Sequence, residues 1–273
     1  MICIGLIGDN IAASRAPDLH RAAARLCGLE LSYDRLVPKD IGMTFEQVFD
    51  RARNEGYRGL NITYPYKEVV LAKLKMQDAT VQLTGACNTV LFERSGPAGV
   101  NTDYTGFRAA FRNAFPKSDP GVVALAGCGG VGRAIAFALT QLGAKALHLF
   151  DSDRAKSHAL AAAISAGVPS LQVNAAESID RACDGADGLV NCTPLGMVGY
   201  GGSVFAADLV GGRRWAFDAV YTPVETPFLK SALDAGLSVM SGYELFFHQG
   251  IDAFCVFTGR DVDYNRLREA LHV

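Results

Sequence analysis

Two kinds of residue in this 273-residue chain could do chemistry: a glycine run able to approach phosphate, and three polar clusters able to hold a small ligand. The glycine run is Gly127-Cys128-Gly129-Gly130-Val131-Gly132. Its spacing is G-x-G-x-x-G, and each glycine has a task. Gly127 permits a tight turn, Gly129 lets backbone approach a pyrophosphate, and Gly132 lets a helix pack close to a strand. With Gly130 and Val131, they open a helix whose amide end attracts phosphate. Asp151, 19 positions after Gly132, ends the next apolar run and is placed to accept hydrogen bonds from ribose hydroxyls. Alone, the glycine pattern also describes a turn inside a core. With strand, helix, second strand and acid all in place, it reads as a dinucleotide site.

The polar clusters are Ser14-Arg15-Ala16-Pro17, Asn61 to Glu68, and the pair Asn88-Thr89 with Asn101-Thr102-Asp103. They fall after predicted strands, where open α/β sheets bind their ligands. Each has a structural reading too: a serine before proline caps a helix, Lys67 lies on a solvated face, and Asn-Thr-Asp makes a turn and an N-cap.

The elements that would position these residues alternate strand and helix. In the first hundred residues, strands are expected at Ile2–Ile7, Ser32–Val37 and Leu60–Thr63, with helices over Asp18–Leu26 and Phe45–Ala52. Val90–Glu93 and Ala98–Val100, joined across Ser95-Gly96-Pro97, suggest a hairpin. Residues 105–115 read as a connecting helix. Strands follow at 122–126, 146–150, 188–191, 215–218 and 237–240, then helices over Glu244–Thr258 and Asp263–Leu271. The fold class is α/β in two domains: an N-terminal substrate domain (1–104, completed by helices in 243–273) and a Rossmann-type doubly wound dinucleotide domain (105–242). Nearly half the residues are hydrophobic, enough for a substantial core, and the net charge of −2 gives no reason to expect nucleic acid or an anionic membrane as partner. No apolar run approaches the ~20 residues of a membrane span. The seven cysteines show no ligand spacing, so free thiols in a reducing cytoplasm are expected and no metal is.

The chain resembles the shikimate dehydrogenase family, especially its NAD-linked quinate/shikimate branch. The resemblance runs nearly end to end: Gly59–Lys67, Gly85–Thr89, Asn101–Gly106, the glycine loop, Asn191–Met197, Asp218–Pro223 and Gln249. It implies that Lys67 and Asp103 are the catalytic pair and that Ser14, Thr63, Asn88, Tyr221 and Gln249 hold the substrate. It also implies that Thr193, Pro194, Gly196, Met197 and Gly242 line the cofactor side, and that the C-terminal helices return to the substrate domain. The implied reaction is reversible hydride transfer between NAD(P) and a ring hydroxyl of a cyclohexene or cyclohexane carboxylate, shikimate or quinate. A free lysine amine is protonated near neutrality, so Lys67 is read as positioning the reacting oxygen and passing its proton, with Asp103 orienting it. An aminoshikimate or other polyol-acid dehydrogenase, or a non-catalytic dinucleotide-binding regulator, are the alternatives. The molecule is expected to be a monomer or homodimer.

Three positions depart from the family pattern. Ala16 stands where a second hydroxyl usually helps grip the carboxylate, with Tyr64 or Tyr66 as possible substitutes. Asp151-Ser152-Asp153 stands where NADP-linked members carry Asn-Arg-Thr, which predicts NAD as the preferred cofactor with NADP still possible, since Arg154 and Lys156 pull the other way. Glu244 replaces a usual glycine ahead of Gln249.

Overall fold

The computed structural model describes residues 1–271. The chain forms two compact units, Met1–Thr102 with Gln249–Val273, and Asp103–His248.

The first unit opens with β1 (Ile2–Ile7), α1 (Ala16–Leu26), β2 (Leu31–Leu36), α2 (Phe45–Asn54) and β3 (Gly59–Ile62). β4 (Met76–Gln77), α3 (Ala79–Thr84), β5 (Thr89–Glu93) and β6 (Gly96–Val100) complete its sheet. The strand order is β2-β1-β3-β5-β6-β4. β1 runs parallel to β2 and β3, whereas β3–β5 and β5–β6 are antiparallel. Both sheet faces are covered, so β1 reads as a continuous apolar run. Ile4 and Leu6 enter one core with Tyr33, while Ile7 joins Leu60, Ile62 and the buried face of α2 in another. That face is Phe45, Val48, Phe49 and Ala52, the spacing of a helix stripe. A reciprocal capping box fixes its start: Thr44 Oγ1 accepts from the Gln47 amide, and Gln47 Oε1 from the Thr44 amide.

The chain leaves this sheet through α4 (Thr102–Ala114). The second unit then contains β7 (Val122–Ala126), α5 (Gly130–Gln141), β8 (Ala146–Phe150), α6 (Arg154–Gly167), β9 (Gln172–Ala175) and α7 (Ile179–Cys183). It continues with β10 (Gly188–Asn191), α8 (Ala207–Val210), β11 (Trp215–Asp218), α9 (Pro227–Asp234) and β12 (Ser238–Met240). Its sheet is wholly parallel in the order β12-β11-β10-β7-β8-β9, the doubly wound Rossmann arrangement. The order reverses between β7 and β10, which opens a crevice at their carboxyl ends. Phe107 and Phe111 of α4 pack edge-on against Phe217 and Trp215, each pair 5.1 Å apart.

Two last helices follow, α10 (Gly242–Thr258) and α11 (Tyr264–Ala270). Ala253 and Phe257 of α10 enter the Ile4–Leu6–Tyr33 core, so the C-terminal segment covers one face of the first sheet. The border at His248/Gln249 therefore falls inside a helix.

Some elements differ from the sequence reading. The hairpin turns at Arg94-Ser95, and Gly96 and Pro97 belong to β6, where the Pro97 carbonyl accepts from the Lys75 amide. α4 starts at Thr102, three residues early, because Asn88 accepts the Thr102 amide. β9 and β4 sit at sheet edges; β9 alternates exposed polar with half-buried residues and β4 is two exposed residues, which hides them from a hydrophobic pattern.

Candidate active site

In the second unit the glycine loop follows β7. Gly127 has φ +93°, a conformation that side chains rarely adopt. A Cβ there would lie 2.7 Å from the Cys192 carbonyl carbon and oxygen, and a Cβ at Gly132 would run into the Gly127 carbonyl oxygen. The loop after β7, the first turn of α5 and the loop after β10 are thus as close as backbones get. At Gly129 a Cβ would meet nothing within 4 Å, which leaves open space before the amide end of α5. That space, with a twelve-residue helix behind it, fits a pyrophosphate.

Asp151 ties this loop down. Its Oδ2 accepts from the Cys128 amide at 2.7 Å and its Oδ1 from the Asp153 amide at 2.9 Å. Each carboxylate oxygen keeps a lone pair for a ribose hydroxyl. Asp153 caps α6 through the Ala155 amide. The two opposing cations are paired at the surface, Lys156 with Asp153 at 3.9 Å and Arg154 with Glu177 at 3.8 Å. Burial pushes the Cys128 thiol up to about 12, so it stays a neutral packing group.

The loop after β10 has its own frame, which sequence reading missed. Asn191 is fully buried at the strand end. Its Oδ1 accepts from the Thr193 amide and hydroxyl, and its Nδ2 donates to the Leu195 carbonyl and to Asp218 Oδ1 at 2.9 Å. Asp218, fully buried at the end of β11, also accepts from the Val220 amide and, at 2.6 Å, from the Thr226 hydroxyl. Burial raises its pKa to about 6 against the pull of those three hydrogen bonds. This clasp holds both the Thr193–Met197 turn and the Val220–Tyr221 segment. Within it the Thr193 hydroxyl is spent on Asn191, so Thr193 shapes the loop with its side chain. Pro194 and Met197 close a turn, Gly196 takes φ +94°, and Val198 donates to the Thr222 carbonyl. Tyr221 stacks on Phe246 at 4.9 Å. Gly242 lets α10 begin against the Ala219 and Val220 carbonyls, 2.5 and 2.7 Å from where its Cβ would be.

In the first unit, the segments after β1 and β3 run side by side. The Thr63 amide donates to the Ile7 carbonyl and the Asp9 amide to the Tyr64 carbonyl. Ser14 ends the first segment; its Oγ accepts from the Ala16 amide at 3.3 Å, leaving its hydroxyl proton to donate. Thr63 and Lys67 lie on the second. Lys67 is only 8% exposed, and its carbonyl accepts from the Cys87 amide, which fixes it beside the next polar cluster.

That cluster is a buried chain of side chains. Tyr33 Oη donates to Asn61 Oδ1 at 2.8 Å, Asn61 Nδ2 to Thr89 Oγ1, and Thr89 to Asn88 Oδ1. Asn88 Nδ2 reaches Thr102 Oγ1 at 2.9 Å and Gln249 Oε1 at 3.4 Å, and Thr102 also meets Gln249 Oε1. The first unit therefore unites Asn88 and Gln249, 161 positions apart in sequence. Asp103 follows Thr102 and opens α4, where it is buried. Asn61 and Tyr33 were not expected in this cluster; a polar residue inside an otherwise apolar strand was the available signal. Tyr66 does not serve as a spare ligand: its hydroxyl donates to Asp9, and burial raises its pKa to about 12.

Among the described residues no group of acids, histidines and cysteines could hold a metal ion. Among those residues, too, no helix is long and apolar enough to cross a membrane.

A family model described as "Shikimate dehydrogenase substrate binding domain" matches residues 6–90. The chain is 37% identical to a quinate/shikimate dehydrogenase (NAD(+)) of Corynebacterium efficiens, over 98% of this chain and 96% of that protein. It is 36% identical to a shikimate dehydrogenase (NADP(+)) of Pseudarthrobacter chlorophenolicus, over 97% and 92%. Among solved structures, quinate dehydrogenase from Corynebacterium glutamicum in complex with NAD superposes with a TM-score of 0.89 at 35% identity, covering 99% of this chain and 98% of that one.

Proposed function

The chain belongs to the shikimate dehydrogenase family, and from that premise we propose that it is a quinate/shikimate-type dehydrogenase. It oxidises a ring secondary alcohol of a cyclohexane or cyclohexene carboxylate with NAD(P), and runs the reverse reduction. NAD is the preferred cofactor and NADP a poorer one. The observation that carries the reading is the buried Asn88–Thr102–Gln249 cluster beside Lys67 in the unit matched by the substrate-domain family model.

When bound, the nicotinamide supplies the hydride chemistry. Ser14 donates its hydroxyl to the carboxylate of the substrate. Thr63, Asn88, Tyr221 and Gln249 hold ring hydroxyls and orient the carbon that loses hydride. Lys67 binds the reacting oxygen and relays its proton on to solvent as the C–H electron pair leaves, with Asp103 in the orienting role that the family assigns it. The Gly127–Gly132 loop and Asp151 hold pyrophosphate and ribose, while the Asn191–Asp218 clasp sets the Thr193–Met197 turn and Gly242 admits the start of α10. The seven cysteines are all free, which suits a reducing compartment such as the cytoplasm. A monomer or a homodimer would both serve this chemistry.

The test is NAD(H)-linked turnover with quinate, shikimate and amino analogues. Turnover of quinate or shikimate is expected. Turnover of only the amino analogue would move the substrate assignment, and no turnover with any of them would leave a dinucleotide-binding regulator.

A further inference from the structure

Ala16 removes a hydroxyl from the segment read as gripping the substrate carboxylate, yet the segment is not short of positive charge. Arg35 stands near the carboxyl end of β2, paired in register with Leu6. Side chains two apart on a strand share a face, so Arg35 lies on the face of Tyr33, under the segment that leads from β1 to α1. Its Nη2 donates to the Ser14 carbonyl at 2.7 Å. Among the described residues it makes no ion pair. Its strand neighbour Asp34 points to the opposite face and accepts from the Tyr57 hydroxyl. A second guanidinium, Arg21, donates to the Tyr33 carbonyl close by. A guanidinium has five N–H donors, and the Ser14 carbonyl uses one. Arg35 thus brings an uncompensated cation to the very residue whose hydroxyl is read as the carboxylate contact.

We propose that Arg35 determines specificity for a carboxylate-bearing substrate, and that its charge on the Ser14 segment replaces the hydroxyl missing at Ala16. This rests on reading Ser14 as the carboxylate contact of a quinate/shikimate-type dehydrogenase. Arg35 could instead be only a brace for the loop, and the two roles separate when the substrate loses its charge but keeps its shape.

The experiment measures kcat/KM for quinate and for its uncharged methyl ester in the full-length wild type, Arg35→Gln and Arg35→Lys, at saturating NAD. An ester turned over too slowly is read by its Ki against quinate. The acid-to-ester ratio within one preparation cancels any difference in folded fraction. It should fall about five-fold in Arg35→Gln, the upper end for an exposed charge pair, and stay within about two-fold of wild type in Arg35→Lys. Raising ionic strength should lower the ratio in wild type and leave it flat in Arg35→Gln. An unchanged ratio in Arg35→Gln overturns the proposal, as does an equal loss in Arg35→Lys, which would mark a brace. If wild type turns over no acid, the dehydrogenase reading fails and takes this inference with it. Turnover by wild type with a flat ratio sinks the role of Arg35 alone.

Discussion

At the scale of single residues, the polar clusters were legible because each combines residue types that a core does not tolerate without partners. Ser14, Thr63, Lys67, Asn88 and Asp103 all stand out this way. Asn61 entered only as the first residue of the Asn61–Glu68 cluster, and Asn191 and Asp218 only as the starts of family motifs, since each sits inside or at the end of an apolar strand. Only the fold shows that they carry buried hydrogen bonds. The catalytic reading of Lys67 and Asp103 makes a direct prediction. Lys67→Ala and Asp103→Ala should each lower kcat by about 10²- to 10⁴-fold, the range of general acid–base contributions, with unchanged circular dichroism and NAD affinity. Near-full turnover in Lys67→Ala would end the assignment. Ala16 predicts the opposite direction. Ser14 is the only hydroxyl of its pair, and a hydrogen bond to a charged group contributes about 1.5–3 kcal/mol. Because the Arg35 charge is proposed to replace that hydroxyl, Ala16→Ser should lower KM for shikimate several-fold, with kcat little changed, in an Arg35→Gln background, and by less than about two-fold in wild type. A several-fold fall in wild type as well would mean that Arg35 does not make up for the missing hydroxyl.

At the scale of elements, the long apolar runs announced themselves. β1, β7, β8, β10 and β11 stand where the hydrophobic pattern put them, because strands covered on both faces have little polarity to confuse the reading. Edge strands and short connecting helices were not legible. α6 is built largely from alanine, serine and histidine and has only a weak apolar stripe, and β9 alternates polar and half-buried residues. The acid after β8 was legible, and on the proposed reading it sets cofactor choice. Asp151 follows β8 directly with both oxygens held by backbone amides, so its carboxylate is fixed in place. Asp153 lies two positions on, and the nearby Arg154 and Lys156 are already paired with acids. A 2′-phosphate would meet two carboxylates before it met a free cation. We therefore expect kcat/KM to favour NAD over NADP, and Asp151→Ala to narrow the difference while weakening NAD binding through the released Cys128 amide. Equal values in wild type, or NADP ahead, would overturn this.

At the scale of the whole molecule, the two units carry buried titrating groups that respond to acid in opposite directions. His20, in the first unit, stacks on Tyr33 at 4.9 Å and packs against Phe254 and Phe257, with no hydrogen-bond partner for its Nδ1 among the described residues. Burial lowers its pKa from 6.5 to about 3. The unfolded chain then binds a proton that the native state refuses, so stability from this group is present above pH 6.5 and is lost as pH falls. Asp218, in the second unit, is the reverse. Its raised pKa of about 6 means the native state binds the proton first, so its contribution is fully present below about pH 4 and is lost as pH rises through 6. At 1.36 kcal/mol per pKa unit, moving from pH 7 to 5 costs on the order of 2 kcal/mol through His20 and returns on the order of 1 kcal/mol through Asp218. In the wild type the two oppose each other. Variants should expose them, and urea unfolding at both pH values reads the difference, followed by far-UV circular dichroism and by the fluorescence of Trp215, the single tryptophan. Relative to wild type over the same pH change, His20→Phe should shift toward stability by on the order of 2 kcal/mol and Asp218→Asn away from it by on the order of 1 kcal/mol. Packing changes common to both pH values drop out of each comparison. Shifts of the same sign in both variants, or none in His20→Phe, would mean that the native state admits the proton to His20 and that the opposition of the two groups is absent.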